Sequence, residues 1–145
     1  VLSTVNKILS FNGEDNFTAL DIGVIDLFSG SADFIKIGSP YSFVITKDAV
    51  KIVEGSSLPL GILDELHPTV CKTELHSGDV VVFVSDGISD AFGSSSDFID
   101  FLSAQRALNP KSLADNILEK ALLLDGQVAK DDMTAFCVRI FKKAS

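Results

Sequence analysis

Tryptophan is absent from this chain of 145 residues, and methionine, tyrosine, cysteine and proline are scarce, with one, one, two and four copies. Basic side chains are also in short supply, because twelve lysines and arginines stand against twenty acidic residues and leave a formal charge of −8. Such an acidic chain repels nucleic acid and anionic membrane surfaces. We therefore predict no nucleic-acid partner.

Long apolar runs are missing as well. The longest is the five residues Val80–Val84, whereas a membrane-spanning helix needs roughly 20 residues, so we predict that this segment does not lie in a membrane. Cys71 and Cys137 form no CxxC pair and have apolar neighbours. They are typical of reduced core thiols in an intracellular compartment.

What the chain does contain is core-forming material: 46% of its residues are hydrophobic and 22% are charged. This composition and length predict one globular domain. At the start, Val1, Val5, Ile8 and Leu9 fall near one helical face with no N-cap before them. We expect a domain truncated at its N-terminus, and self-association through the apolar surface that the truncation leaves exposed.

Period-two alternation and turn signals predict a run of strands followed by helices. Residues 17–27 and 32–37 form a predicted hairpin, and the next two strands continue it as a meander. A capping segment at residues 94–97 and the pair Asn109-Pro110 each predict the start of a helix. The remaining predicted strands are residues 41–46, 49–53, 69–75, 80–85 and 133–141. The order predicts an α+β domain, an antiparallel β-sandwich flanked by helices.

Acidic residues follow or precede the two most apolar strands. Asp86 comes directly after residues 80–85, and Asp131 and Asp132 stand at the head of residues 133–141. If these strands are antiparallel neighbours, the carboxylates meet at one edge of the sheet. A hard divalent cation is the usual counter-charge for such a cluster. The spacing alone also fits aspartates that merely form turns, which are common after strands.

Two segments carry a family resemblance. Residues 81–92 read V-V-F-V-S-D-G-I-S-D-A-F, and residues 130–134 read K-D-D-M-T. They resemble the Ser-Asp-Gly and Asp-(Asp/Asn)-x-Thr motifs of the metal-dependent PP2C-type Ser/Thr phosphatases. Three further segments, at residues 25–27, 37–43 and 58–62, resemble the bacterial sporulation branch of that family in order and spacing.

The resemblance implies a PP2C-like sandwich and a protein serine/threonine phosphatase. In that family two Mn²⁺ or Mg²⁺ ions hold a water that attacks the phosphorus. By motif, Asp86 and Asp131 correspond to metal ligands, and Gly87 and Asp132 are expected just outside the coordinating atoms. For the sporulation branch the implied substrate is a phosphorylated anti-anti-sigma factor, and the implied location is a cytoplasmic domain of a membrane-anchored parent.

The family's first metal motif, Asp-Gly-x-Gly-x-Gly, is absent from these residues. We therefore expect residues 1–145 to be the C-terminal part of a PP2C-like phosphatase domain, holding about half a site, with little activity and no firmly bound metal by itself. The alternative is a non-catalytic, phosphatase-like interaction or dimerisation module.

Asp131 and Asp132 have opposite parity, so a strand would point only one of them at a metal. Parity does not choose between them. The resemblance chooses Asp131, because the family often has Asn at the second position.

Overall fold

The computed structural model describes residues 1–11 and 17–141. Four helices and seven strands are present in these residues. In chain order they are α1 (Leu2–Phe11), β1 (Leu20–Ile25), β2 (Ser31–Ile37), β3 (Ser42–Ile45), β4 (Val50–Val53), β5 (Thr69–Glu74), β6 (Val80–Val84), α2 (Asp86–Phe92), α3 (Ser95–Ala104), α4 (Pro110–Leu124) and β7 (Ala135–Arg139).

The strands form two antiparallel sheets, one ordered β1-β2-β5 and the other β4-β3-β6-β7. One apolar cluster lies between the sheets, and a second lies between the four-stranded sheet and helices α2, α3 and α4. The predicted α+β sandwich flanked by helices is confirmed. None of the described helices has the length and apolar content needed to cross a bilayer.

Strand β6 is covered on both faces, as its sequence predicts. Val82 packs in the cluster under the helices, whereas Val81 packs in the cluster between the sheets. Neighbouring residues of a strand point to opposite faces, so β6 needs apolar side chains at both parities. The four-stranded sheet is the wall that the two cores share.

The predicted hairpin is confirmed, with Leu20 opposite Ile37. The predicted meander is wrong at its next step, because β2 and β3 belong to different sheets. The chain crosses between the sheets at Gly38, whose φ of +61° is accessible to glycine at little cost. A Cβ there would lie 2.4 Å from the ring of Pro59. This crossing depends on contacts with a distant loop, which local turn signals do not report.

Both helix starts are confirmed. The Ser94 hydroxyl accepts from the Asp97 amide, and the Asn109 side chain accepts from the Ser112 amide. Helix α2 was not predicted. The last strand also begins later than expected, at Ala135.

Helix α1 is confirmed, but its buried residue is polar. The Asn6 amide group donates to the carbonyl oxygens of Leu63 and Asp64, at 2.8 and 3.2 Å, and its side-chain oxygen accepts from the Gly61 amide at 2.9 Å. Apolar residues of the same helix face solvent, among them Ile8 at 56% exposure. The apolar face that the sequence predicts to be unpartnered is thus exposed.

The two cysteines are free, as expected, but each is only half-buried. They lie in β5 and β7, which are edge strands of their sheets. The expectation of core thiols is therefore wrong in its degree of burial.

Candidate metal centre

The antiparallel pairing of β6 and β7 brings the predicted ligand segments together. The last ladder pair is Val84 opposite Ala135, and the Ser85 amide extends the ladder by donating to the Thr134 carbonyl at 3.0 Å. Asp86 begins helix α2 immediately beyond this point. The end of β6 and the approach to β7 therefore meet at one edge of the sheet.

The Ser85 hydroxyl joins the two segments. It accepts from the Thr134 amide at 2.9 Å and donates to the Asp132 carbonyl at 2.8 Å. Ser85 is also the N-cap of α2, yet it makes no side-chain capping bond to that helix. Its hydroxyl is already engaged across the two segments.

Gly87 is required by the closeness of the same two segments. A Cβ at this position would lie 2.6 Å from the Asp132 carbonyl oxygen and 3.3 Å from the Asp131 carbonyl carbon. Side-chain carbons do not approach backbone this closely, so any larger residue would push the segments apart. The Ser-Asp-Gly sequence thus combines a linking hydroxyl, a carboxylate and the space for a close contact.

The two predicted ligands, Asp86 and Asp131, are exposed at this edge. One oxygen of each is used locally: Asp86 Oδ1 accepts from the Gly87 amide at 3.0 Å, and Asp131 Oδ1 accepts from the Asp132 amide at 2.7 Å. Carboxylate oxygens are the ligands that Mg²⁺ and Mn²⁺ prefer. The residues present therefore fit part of a metal site.

Within residues 1–11 and 17–141, no group of three or more His, Cys, Asp or Glu side chains is arranged to hold a metal ion. Two carboxylates are fewer than the roughly six oxygen ligands of an octahedral site. Two carboxylates alone would therefore not complete the coordination of one such ion.

The parity argument for Asp131 and Asp132 does not apply, because both residues precede β7 and lie outside any strand. The two residues differ instead in the hydrogen bonds that their backbone groups make. Asp132 uses its carbonyl to contact Ser85, and its amide contacts the Asp131 side chain. Asp131 as the ligand stays a prediction.

A cleft of about 510 Å³ opens beside Asp86. Polar residues from separate parts of the chain line it: Asp21 on β1, Ser39 at the crossing between the sheets, and Ser85. Two buried atoms in this lining, Asp21 Oδ1 and Ser39 Oγ, have no hydrogen-bond partner among the described residues. Two unpartnered polar atoms thus lie buried in the wall of the cleft beside Asp86.

Asp21 belongs to a buried polar network that joins the two sheets. Lys36, with 0% exposure, places its Nζ 2.5 Å from Asp21 Oδ2 and 2.9 Å from Ser42 Oγ. The Ser42 hydroxyl donates to the same Asp21 oxygen. Burial lowers the pKa of Lys36, and the hydrogen bond and charge of Asp21 oppose that shift.

Sequence reasoning missed this network, although a signal for it exists. Ala32, Phe34 and Lys36 share one parity of β2, and the first two are core residues. A lysine at a core-facing position needs a buried counter-charge. The register supplies it, since Asp21 is the direct cross-strand partner of Lys36.

Comparison with known proteins settles the family. Residues 1–141 match the family described as Stage II sporulation protein E (SpoIIE). The chain belongs to the SpoIIE family. It is 32% identical over 144 residues to stage II sporulation protein E of Bacillus subtilis strain 168, and the match covers 96% of this chain but 17% of that relative.

Solved SpoIIE structures have the same fold. The structure of the PP2C phosphatase domain and a fragment of the regulatory domain of B. subtilis SpoIIE matches with a TM-score of 0.81 and 32% identity, covering 97% of this chain and 44% of that one. The phosphatase domain of SpoIIE presoaked with Mn matches with a TM-score of 0.75 and 30% identity, covering 99% and 67%. The chain thus spans about two thirds of a solved SpoIIE phosphatase domain and a small part of the curated SpoIIE protein.

Proposed function

We propose that residues 1–145 are the C-terminal part of a PP2C-like domain that removes phosphate from phosphoserine or phosphothreonine of a protein. The observation that carries this proposal is the juxtaposition of Asp86 and Asp131, both exposed, at an edge held together by the Ser85 hydroxyl and the Gly87 contact. Membership of the SpoIIE family supports it.

Asp86 and Asp131 would hold Mn²⁺ or Mg²⁺ ions, two of which are proposed for the complete domain. Such ions supply a water activated at neutral pH and offset the charge of the phosphate. That second effect matters in a chain of charge −8. The chain's own contribution is to hold the two carboxylates in place and to offer the neighbouring cleft to the phosphorylated side chain.

The substrate that we propose is a phosphorylated anti-anti-sigma factor, and the proposed location is a cytoplasmic domain of a membrane-anchored parent. Both rest on the family relationship. We propose as well that the chain self-associates, because α1 exposes Val5, Ile8 and Phe11, at 38%, 56% and 90%. Light scattering at high concentration should show dimers or larger species, and a strict monomer would contradict this part of the proposal.

The decisive experiment compares two adjacent substitutions in the chain joined to its natural upstream sequence. Asp131→Asn removes an anionic ligand of the proposed metal site. Because a metal ion stabilises the transition state by several kcal/mol, we expect Mn²⁺-dependent turnover of a phosphoserine protein to fall by about 100-fold or more. Asp132→Asn is the matched control and should keep much of the activity. Asp86→Asn should resemble Asp131→Asn.

Circular dichroism and thermal unfolding should show that all three variants fold. The ligand assignment is wrong if Asp132→Asn is the more damaging of the two neighbours. The 145-residue chain without upstream sequence should have little turnover under the same conditions. Turnover equal to that of the extended chain would refute the view that it holds half a site.

The alternative is a non-catalytic interaction or dimerisation module with a phosphatase-like fold. The absence of a three-ligand group from the described residues is what keeps it open. The coding sequence upstream of Val1 distinguishes the phosphatase from the non-catalytic module. An Asp-Gly-x-Gly-x-Gly segment within roughly 60 residues before Val1 favours the enzyme, since connections and helices of ordinary length fit that interval, and its absence favours the module.

A further inference from the structure

A single carboxylate, that of Asp125, joins the start of the segment between α4 and β7 to Lys130 further along it. Asp125, the C-cap residue of α4, accepts a hydrogen bond from the Lys130 backbone amide at 2.9 Å through Oδ2. Its Oδ1 forms an ion pair with the Lys130 ammonium group. The Asp125 side chain is 9% exposed, whereas that of Lys130 is 78% exposed.

The backbone between these residues turns sharply. Gly126 and Gln127 have φ values of +83° and +67°, and Gln127 is the only non-glycine residue with positive φ in the described part of the chain. The Gln127 amide donates back to the Leu122 carbonyl at 2.7 Å. A non-glycine residue in this conformation costs free energy and is kept when surrounding contacts require it.

Asp131 lies between two fixed points. On one side, the amide of Lys130 is bound by Asp125. On the other side, the carbonyl of Asp132 is bound by the Ser85 hydroxyl. One residue separates these anchors, so the backbone of Asp131 has little freedom beside Gly87.

We propose that Asp125 is a positioning residue, which fixes the backbone of Asp131 against Gly87 and so aims the Asp131 carboxylate at the site. The metal-related part of this inference rests on the proposed function.

The two contacts that Asp125 makes with Lys130 differ in strength. An ion pair with an exposed lysine contributes little, because solvent screens it. A backbone amide bound to a carboxylate is a charge-assisted hydrogen bond, which is stronger than a screened ion pair. The amide bond is therefore the part of the contact that positions the loop.

Because the amide hydrogen bond is the stronger contact, we expect the variants to differ in how much they disturb the loop and Mn²⁺ binding. Asp125→Ala removes both contacts and should have the largest effect. Asp125→Asn keeps an acceptor oxygen for the Lys130 amide and should restore most of the parent behaviour. Lys130→Gln removes the ion pair alone and should be mild. The matched control is Asp115→Ala, which removes another exposed ion pair of α4, with Lys111 at 2.8 Å.

The test uses the ¹⁵N-labelled chain joined to its natural upstream sequence, in two arms. Without metal, amide hydrogen exchange of Lys130 and Asp132 and the amide shifts of Gly87 and Asp131 report the loop position. With Mn²⁺ alone as the probe, paramagnetic broadening of amides near Asp86 and Asp131 gives a dissociation constant. Groups that orient a ligand are typically worth 10- to 100-fold in metal affinity, so we expect Asp125→Ala to weaken Mn²⁺ binding by about tenfold. Circular dichroism checks that the variant is still folded.

Faster exchange and shifted Gly87 and Asp131 signals in Asp125→Ala, with rescue by Asp125→Asn, support the proposal. Parent-like exchange and shifts in Asp125→Ala overturn it, as does parent-like Mn²⁺ affinity where the parent binds. Absence of broadening in the parent counts against the metal site of the proposed function, and the metal-free arm then decides the role of Asp125 by itself.

Discussion

Replacing Lys36 by methionine tests the buried network that joins the two sheets. The substitution keeps most of the side-chain volume and removes the ammonium group, whose contact with Asp21 is 2.5 Å long. The side chains of Lys36 and Asp21 are 1% and 14% exposed, so water can replace the lost partner only in small part. The Asp21 carboxylate would keep the Ser42 hydroxyl as its donor.

Removing one partner of a buried ion pair costs about 3–5 kcal/mol, because the other charge is left uncompensated. A domain has a free energy of unfolding of about 5–15 kcal/mol. Lys36→Met should therefore remove a large share of the stability. The measurement is urea unfolding followed by circular dichroism at pH 7.

Two further variants make the result interpretable. Lys72→Met breaks an exposed pair with Asp33 at 3.8 Å between β2 and β5, and it should cost about 0–1 kcal/mol. The double variant Lys36→Met, Asp21→Leu removes both charges and should recover most of the loss, as paired apolar replacements do. The reasoning is refuted if Lys36→Met costs no more than Lys72→Met, or if the double variant is no more stable than Lys36→Met alone.

Two other predictions concern the candidate site and acid stability. Gly87→Ala places a methyl group where 2.6 Å is available, so it should lower the free energy of unfolding by about 1–3 kcal/mol and weaken Mn²⁺ binding; parent-like urea unfolding would contradict this. Hydrogen bonds from the Phe28 amide and the Ser29 hydroxyl and amide lower the pKa of Asp26, and the contacts of Lys130 lower the pKa of Asp125. A lowered folded-state pKa means that the stabilisation is complete above the unfolded value of 3.8 and is lost as the pH falls through the folded-state value. The variants Asp26→Asn and Asp125→Asn should therefore show a shallower loss of stability between pH 5 and pH 2 in urea titrations, and a slope equal to the parent's would refute the assignment.

The edge that carries Asp86 and Asp131 could be predicted because its determinants are local. One strongly apolar strand is followed by acidic residues and the other is preceded by them, which predicts that both strands belong to the core and that these carboxylates lie at their ends. Only β6 is central, because β7 is an edge strand. The antiparallel pairing of β6 and β7 then follows from a single assumption about neighbours. This assumption is correct.

The features that were missed depend on contacts between distant parts of the chain. The crossing at Gly38 is determined by Pro59, and the buried position of Lys36 is determined by Asp21 on another strand. Helix α2 was missed for a different reason, since Ser85-Asp86-Gly87 reads locally as a turn. The apolar pair Ile88 and Phe92, four positions apart and both buried, is the helical signal that could have shown it.

The bonds made by Ser85 have a consequence for how the site responds to distortion. They tie the end of β6 to the approach to β7 independently of the helices and of the three-stranded sheet. A shift of β6 along its axis would carry Asp86, Asp131 and their common hydroxyl link together. The separation between the two carboxylates would then survive repacking of the core between the two sheets, whereas their position relative to the cleft, whose other wall belongs to β1, would not.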